Sequence, residues 1–181
     1  MSSTPPTFGT ASLWIIEDSD DYREQLFDLL ELDQGVDCQH AFASYEEARD
    51  HLKKEDAPDV MLVDLNLPGM HGLQAIQELK QLCPTMLMIV LTVTGNRKTV
   101  FEALRSGAVG YLLKSEPFDT ILQNIHEVIE GGSPISSSVT PYILDVLKTP
   151  SPDKSDSDLT QHEISILELL ANGESRKEIA G

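Results

Sequence analysis

Short apolar runs alternate with amphipathic stretches from residue 11 to residue 131. The apolar runs predict five strands: SLWII (12–16), VDCQHAF (36–42), VMLVD (60–64), MLMIVLT (86–92) and GYLL (110–113). After each run, apolar residues recur at the spacing of a helix face; in the first such stretch they are Tyr22, Leu26, Leu29 and Leu30. Apolar strands without alternation are typical of a parallel sheet covered by helices on both faces. The pattern therefore predicts an α/β domain with a doubly wound, five-stranded parallel sheet.

The predicted helices have recognisable starts and buried faces. The first covers residues 21–32, and Ser44 with Glu47 forms a capping box at the start of the second. Three further helices are predicted over residues 73–82, 98–106 and 119–130.

From residue 132 the composition changes. GGSPISSS and KTPSPDKSDSD are rich in Gly, Pro, Ser and Asp, which predicts a linker over residues 132–158. Within it, TPYILDVLK is able to form a short helix. Thr160 and Glu163 then form another capping box, followed by a helical stripe of leucine and isoleucine that ends near Gly173. The sequence thus predicts a second, small helical unit from residue 159.

Charge and composition narrow the class of protein. The chain has 181 residues, 40% of them hydrophobic, and a net charge of −17, which does not resemble the basic surface of a nucleic-acid-binding domain. MSSTPPTFGT lacks the segments of a signal peptide, and no apolar run approaches the ~18 residues of a membrane span. We therefore expect a cytoplasmic protein, with Cys38 and Cys83 as reduced thiols.

Chemically active side chains stand at the ends of the predicted strands. Glu17 and Asp18 follow strand one, Asp64 ends strand three, Thr92 ends strand four and Lys114 follows strand five. In an open parallel sheet, sites form outside the carboxyl ends of the strands, so these residues should converge on one edge. Each also has a structural interpretation on its own, as a helix-dipole partner, a loop former, a strand residue or a surface lysine.

The set suits transfer of a phosphoryl group to a carboxylate. Mg²⁺ prefers one or two carboxylates together with water and phosphate oxygens, and it would relieve the repulsion between the clustered acids. The metal and Lys114 would neutralise the phosphoryl group while Asp64 attacks as the nucleophile. Thr92 would donate a hydrogen bond to a phosphoryl oxygen.

Four segments, WIIEDSD, MLVDLNLPGMHG, LTVTG and GYLLKS, resemble in their order the receiver domains of bacterial two-component response regulators. The resemblance covers residues 11–131 and implies a flavodoxin-like fold with strand order 2-1-3-4-5. It implies that Asp64 accepts phosphate from a sensor histidine kinase, and that the protein is a switch catalysing its own phosphorylation and acyl-phosphate hydrolysis rather than an enzyme.

The resemblance also implies roles for the residues around Asp64. Asp18 and Asp64 would ligate Mg²⁺ or Mn²⁺, with Glu17 binding directly or through water. The ligand set would be completed by the backbone carbonyl of Asn66. Thr92 and Tyr111 would form the switch pair, Lys114 would contact the phosphoryl group, and phosphorylation would promote a homodimer.

The last 24 residues, DLTQHEISILELLANGESRKEIAG, resemble the first part of the helix-turn-helix of LuxR/FixJ-type, NarL-like regulators. The matching positions are Leu159, Thr160, Glu163, Leu167, Leu169, Leu170, Gly173, Ser175, Lys177, Glu178, Ile179 and Ala180. The resemblance implies a truncated DNA-binding domain over residues 159–181. The recognition helix that enters the major groove would follow it. We therefore expect promoter DNA to bind the full-length protein and not this chain.

Two other functions fit these residues less well. A haloacid-dehalogenase-type phosphatase also uses an Asp nucleophile with Mg²⁺, but it needs a second Asp two residues later, where this chain has Asn66. A flavodoxin needs a phosphate-binding loop after strand one, and that loop is acidic here. A stand-alone module whose phosphorylation controls another protein, without DNA binding, stays as the alternative to a transcriptional regulator.

Overall fold

The computed structural model describes residues 10–143. Five strands alternate with five helices: β1 Ala11–Ile16, α1 Asp20–Glu31, β2 Val36–Phe42, α2 Tyr45–Leu52, β3 Val60–Val63, α3 Gly72–Leu82, β4 Leu87–Thr92, α4 Arg97–Ser106, β5 Gly110–Leu113 and α5 Phe118–Ile129. Within this part of the chain, no helix has the length and apolar character needed to cross a membrane.

The strands form one parallel sheet in the order β2-β1-β3-β4-β5, which confirms the predicted fold. The strand order reverses at β1, whose neighbours are β2 and β3. Ligand sites of such sheets form at this reversal, outside the carboxyl ends of the strands. The register aligns Ile16 with Val63, so the residues that follow these two strands emerge side by side.

Alternate residues of the central strands pack into two separate cores. Trp14 and Met61 belong to the core that also contains residues of α2, α3 and α4. Leu13 and Leu62 belong to the core on the opposite face, with residues of α1 and α5. Because both faces are covered, the strands are apolar at nearly every position, which explains the continuous runs in the sequence.

The predicted elements agree with the observed ones to within about one residue at most boundaries. Ser44 caps α2 as predicted, because its Oγ accepts a hydrogen bond from the Glu47 backbone amide at 3.3 Å. The Glu47 carboxylate accepts a hydrogen bond from the amide of Ala43, one residue before the cap. Cys38 and Cys83 are free thiols, also as predicted.

The chain does not leave the domain at residue 132, where the predicted linker begins. Residues 132–143, which we call the β5-flanking segment, lie against β5 and the adjoining core. The amide of Ser136 donates to the Tyr111 carbonyl at 2.9 Å. Val139 and Ile143 are buried in the core. The sequence predicts a linker here because Gly, Ser and Pro surround Val139 and Ile143, which are four positions apart. Residues 140–143 are helical, within the predicted TPYILDVLK helix. The rest of the linker and the helix-turn-helix motif at 159–181 lie outside the described residues.

Candidate functional site

Two carboxylates are buried side by side where β1 and β3 end. The amide of Asp64 donates to the carbonyl of Ile16 at 2.9 Å, which continues the sheet ladder into the loops and fixes the spacing of the acids. Glu17 and Asp64 are 2% and 3% exposed, whereas the adjacent Asp18 is exposed. One carboxylate oxygen from each of these three residues lies within 4.8 Å of the other two. The predicted convergence of the three acids is therefore present.

Lys114 joins the two buried carboxylates. Its amide donates to the carbonyl of Thr92 at 2.9 Å, so β4 holds the lysine at the same edge of the sheet. The Nζ atom lies 2.5 Å from Glu17 Oε2 and 2.8 Å from Asp64 Oδ2. The ammonium also lies 4.9 Å from the centre of the Tyr22 ring, within the range of a cation–π contact.

Burial and charge shift the pKa values of these groups in a consistent pattern. Burial raises the pKa of Glu17, and the hydrogen bond and charge of Lys114 only partly oppose this. Burial by itself lowers the pKa of Lys114, but its hydrogen bonds to Asp64 and Glu17 outweigh burial and hold the pKa above its usual value. Burial, with the nearby charges of Glu17 and Asp64, raises the pKa of Tyr22 to about 12. The site therefore holds Lys114 as a cation over the whole physiological pH range.

Thr92 and Tyr111 are both fully buried beside this cluster. The Asn66 side-chain amide donates to Thr92 Oγ1 at 3.4 Å, linking the loop after β3 to the end of β4. The Tyr111 hydroxyl donates to the carbonyl of Thr94 at 2.5 Å. Burial, followed by the charge of Asp64, raises the pKa of Tyr111 to about 12. Tyr111 is thus a neutral hydrogen-bond donor to the loop after β4.

Residues 13–126 match the family described as the response regulator receiver domain. The chain belongs to this family. The nitrate/nitrite response regulator protein NarL of Escherichia coli K12 is 34% identical to it over 125 residues, which cover 68% of this chain and 58% of NarL. The chain thus spans little more than half of that relative. NarP of the same organism is 33% identical over 166 residues, covering 92% of this chain and 77% of NarP.

Structural comparison leads to the same family. A two-component response regulator of the LuxR family from Aurantimonas sp. SI85-9A1 superposes with a TM-score of 0.72 at 26% identity, covering 78% of this chain and 100% of that one. Together with the relatives NarL and NarP, this structure identifies the described part of the chain as the receiver domain of a LuxR-family two-component regulator. The recognition of the family from its four sequence segments is confirmed.

The receiver's acid cluster fits the Mg²⁺ that this family generally uses. Asp64 Oδ1 is buried and has no hydrogen-bond partner among the described residues, although the other oxygen of the same carboxylate binds Lys114. A buried carboxylate oxygen without a partner destabilises the folded protein unless a cation or a donor reaches it. The exposed Asp18 offers a carboxylate oxygen within 4.8 Å of one from Asp64. Oxygen ligands of this kind suit Mg²⁺.

Two residues that position the site were missed in the sequence. Gly72 begins α3 with its Cα so close to the loop after β3 that a Cβ atom would lie 2.3 Å from the Asp64 carbonyl oxygen and 2.6 Å from Leu65 Cα. The sequence shows a glycine directly after LNLPGMH, but hydrophobic periodicity does not predict that its Cα lies so close to the Asp64 backbone. Tyr22 was predicted only as a core residue of the first helix, and no sequence signal indicated its contact with Lys114.

Proposed function

We propose that this receiver accepts a phosphoryl group on Asp64 and thereby switches between two states. The single observation that carries the proposal is the uneven environment of the Asp64 carboxylate. One oxygen is held by Lys114, and the other is buried with no partner in the part of the chain that the structure describes. Such a carboxylate is oriented by the lysine and has one oxygen free to react.

The reaction forms a bond between Asp64 Oδ1 and phosphorus. The bond from phosphorus to the donor's leaving atom breaks, and the leaving group departs with the electron pair of that bond. For acetyl phosphate the leaving group is acetate, and for a sensor histidine kinase it is the imidazole nitrogen of its phosphohistidine. Positioning and charge stabilisation supply most of the catalysis of such transfers.

Each neighbour of Asp64 has a role in this proposal. The ammonium of Lys114 compensates the charge of the phosphoryl oxygens, since it already lies 2.8 Å from the reacting carboxylate. The buried hydroxyl of Thr92 donates to a phosphoryl oxygen after transfer. Glu17, Asp18, Asp64 and the backbone carbonyl of Asn66 would hold Mg²⁺ or Mn²⁺. When bound, the metal ion supplies charge neutralisation and orients the phosphoryl group.

The output follows from Thr92 and Tyr111. Accepting from the Asn66 amide uses a lone pair of Thr92 Oγ1, so the hydroxyl proton is donated to the phosphoryl group as the side chain turns toward it. The Tyr111 hydroxyl donates to the Thr94 carbonyl of the loop after β4 in this structure, and we expect Tyr111 to reorient together with Thr92 on phosphorylation. This is a local charge change that biases a two-state element. The protein acts as a switch and not as a turnover enzyme, because its product stays attached to Asp64 until hydrolysis.

We further propose that the switch controls homodimerisation and transcription in the cytoplasm. Leu29 on α1 is 40% exposed and borders an apolar cleft between α1 and α5, which supports association of two copies through helices. The helix-turn-helix resemblance at 159–181 supports promoter DNA as the target of the full-length regulator. Sedimentation velocity with and without the phosphoryl mimic beryllofluoride tests the first point: an unchanged sedimentation coefficient contradicts it.

The phosphoacceptor is tested by mass spectrometry after incubation with acetyl phosphate and Mg²⁺. The wild-type chain should gain one phosphoryl group, Asp64→Asn should gain none, and EDTA should suppress labelling. Asp56→Asn is the matched control, because Asp56 is an exposed acid outside the cluster. Labelling of Asp64→Asn at the wild-type rate would contradict the proposal.

A further inference from the structure

A second group of metal-ligating side chains lies between β2 and the carboxyl end of α2. His40 is on β2, His51 is in the last turn of α2, and Glu55 follows that helix. Their ligand atoms lie within 4.8 Å of one another, and none of the three belongs to the phosphoacceptor site. The Glu55 amide donates to the His51 carbonyl at 3.2 Å, and this turn at the end of α2 brings the two side chains together beside His40.

Three short contacts close this triangle. His40 Nε2 lies 3.0 Å from Glu55 Oε2, His51 Nε2 lies 3.3 Å from Glu55 Oε1, and the two Nε2 atoms are 3.1 Å apart. In tetrahedral zinc sites, with metal–ligand bonds of about 2.0–2.1 Å, neighbouring ligand atoms are roughly 3.3 Å apart. The observed separations are close to this value, although each imidazole lies nearest to a different oxygen of the Glu55 carboxylate.

Hydrogen bonds satisfy this triangle only in part. If one imidazole carries its proton on Nε2, the lone pair of the other Nε2 faces the Glu55 carboxylate and is repelled by it. If both carry a proton there, each donates to one oxygen of Glu55, but the two donor nitrogens then lie only 3.1 Å apart with no hydrogen bond between them. All three groups are able to act as acceptors, and a cation placed between them turns every contact into an attraction.

We propose that His40, His51 and Glu55 form a second metal site, which binds a borderline divalent cation such as Zn²⁺. Two imidazoles and one carboxylate are a common catalytic-type zinc set, with water as the fourth ligand. Imidazole nitrogen selects Zn²⁺ over Mg²⁺, which takes oxygen ligands. The site is open to solvent, since the side chains of His40, His51 and Glu55 are 30%, 24% and 51% exposed. A bound ion would tie the end of α2 to β2.

Trp14 provides a built-in reporter. Its ring centre lies 5.1 Å from that of His40 and 5.3 Å from that of His51, both in edge-to-face contact. It is the single tryptophan of the chain, so the emission of the whole protein reports on this position. Binding of paramagnetic Co²⁺ to the two imidazoles should quench that emission, because the ion would lie next to rings that contact the indole.

The test is calorimetric titration of the 181-residue chain with Zn²⁺ alone as ligand, in millimolar Mg²⁺ to saturate the acid cluster. We expect one tight equivalent of Zn²⁺ and quenching of Trp14 by Co²⁺. Glu55→Gln and His51→Gln should each weaken Zn²⁺ binding about tenfold or more and reduce the quenching in parallel. Glu55→Gln keeps the test decisive even if His51→Gln does not fold, because Glu55 is exposed.

His126→Gln is the matched control. His126 also pairs with one carboxylate, at 3.1 Å from Asp33, but no second imidazole of the described chain lies beside it. Zn²⁺ affinity in this variant should equal that of the wild type. The proposal is overturned if Zn²⁺ does not bind in the presence of Mg²⁺, if both His51→Gln and Glu55→Gln bind with wild-type affinity, if His126→Gln loses as much affinity as they do, or if bound Co²⁺ leaves Trp14 unquenched.

Discussion

Lys114 holds only one of the two oxygens of Asp64. Its Nζ atom lies 2.8 Å from Oδ2, while Oδ1 of the same carboxylate is buried and finds no partner within residues 10–143. The same ammonium also binds the buried carboxylate of Glu17. One cation therefore compensates two buried anions, and the site lacks positive charge until a metal ion or a phosphoryl group with its metal arrives.

Lys114→Met should destabilise the folded protein by about 3–5 kcal/mol, because it leaves two buried carboxylates without their cation. The pKa of Glu17 should rise further in this variant, since the loss of Lys114 removes the interaction that opposes burial. Mg²⁺ should restore much of the stability, and phosphorylation should be slowed. Urea denaturation with and without Mg²⁺ measures the first effects.

Lys98→Met is the control for Lys114→Met. The Lys98 side chain is 84% exposed and pairs with Glu102 at 3.8 Å, so its loss should change the free energy of unfolding by no more than about 0.5 kcal/mol. Equal unfolding free energies for the two variants would show that Lys114 does not stabilise the buried acids.

Asp18→Ala should weaken Mg²⁺ binding more than Glu17→Ala does. Asp18 is exposed, and Lys114 pairs with Glu17 and Asp64 instead, so the Asp18 carboxylate is available to the metal whereas that of Glu17 is already paired with the lysine. Calorimetric titration with Mg²⁺ measures the difference. Asp21→Ala, an exposed acid in the first turn of α1, is the control. If Asp21→Ala and Asp18→Ala bind Mg²⁺ equally well, the acids contribute only to the helix terminus.

Gly72→Ala should slow phosphorylation as well as destabilise the fold. The added Cβ would meet backbone atoms of Asp64 and Leu65, which cannot rotate away, so the loop carrying the phosphoacceptor must shift. Overpacking of this kind costs about 1–3 kcal/mol. The rate of labelling by acetyl phosphate at saturating Mg²⁺ separates loss of geometry from loss of stability.

Gly95→Ala provides the comparison for Gly72→Ala. A Cβ at Gly95 would lie 3.2 Å from Leu113 Cδ2 and from Val139 Cγ2, both at the ends of side chains that can move. Its effect on the free energy of unfolding should be the smaller one. Phosphorylation of Gly72→Ala at the wild-type rate would show that the close approach to Asp64 has no part in positioning it.

Much of this site follows from the sequence because parallel strands bring their carboxyl ends to one edge. Asp64 and Lys114 are 50 residues apart, yet their placement after β3 and β5 was enough to predict that they meet. Tyr22 could not be predicted beside Lys114, because its ring position depends on how α1 is rotated on the sheet. The His40–His51–Glu55 triangle was missed for a similar reason, since it depends on the side-chain rotamers of β2 and α2.

The β5-flanking segment shows where composition misleads. Gly, Pro and Ser predict a linker over the whole of residues 132–158, but a short segment needs only a few apolar residues to dock when an uncovered core lies beside it. Val139 and Ile143 provide them, at 0% and 2% exposure. Composition averages over a window and does not register two such positions.

Alkaline pH should destabilise the receiver between about pH 10 and about pH 12. Burial raises the pKa of Tyr22 and Tyr111 to about 12, and the pKa of Lys114 also lies above its usual value because of its hydrogen bonds to Asp64 and Glu17. A group whose pKa is higher in the folded state stabilises that state below the unfolded pKa, and the contribution is lost as the pH rises through the folded pKa. Urea midpoints measured from pH 8 to pH 12 should therefore fall steeply above pH 10.

The variant Tyr111→Phe measures how much of this pH dependence comes from the ionisation of Tyr111. Phenylalanine does not ionise, so the variant should lose stability less steeply with pH, although it starts from a lower value because the Thr94 carbonyl loses its donor. Tyr22→Phe should reduce the slope as well, without that initial loss, because the Tyr22 hydroxyl has no partner among the described residues. Slopes identical to the wild type in both variants would contradict the burial argument.

The β5-flanking segment also determines which association modes remain possible. β5 is an edge strand, and the outward peptide groups of an edge strand are a template for pairing with another chain. Here the amide of Tyr111 donates to Pro134, the carbonyl of Tyr111 accepts from Ser136, and the amide of Leu113 donates to Ser136 Oγ. Two receivers cannot join their sheets across β5 without breaking these three bonds. On this side of the sheet, contacts between copies therefore form between side chains on helix surfaces. The strength of such an association depends on which side chains are exposed, and it can change with the state of the switch.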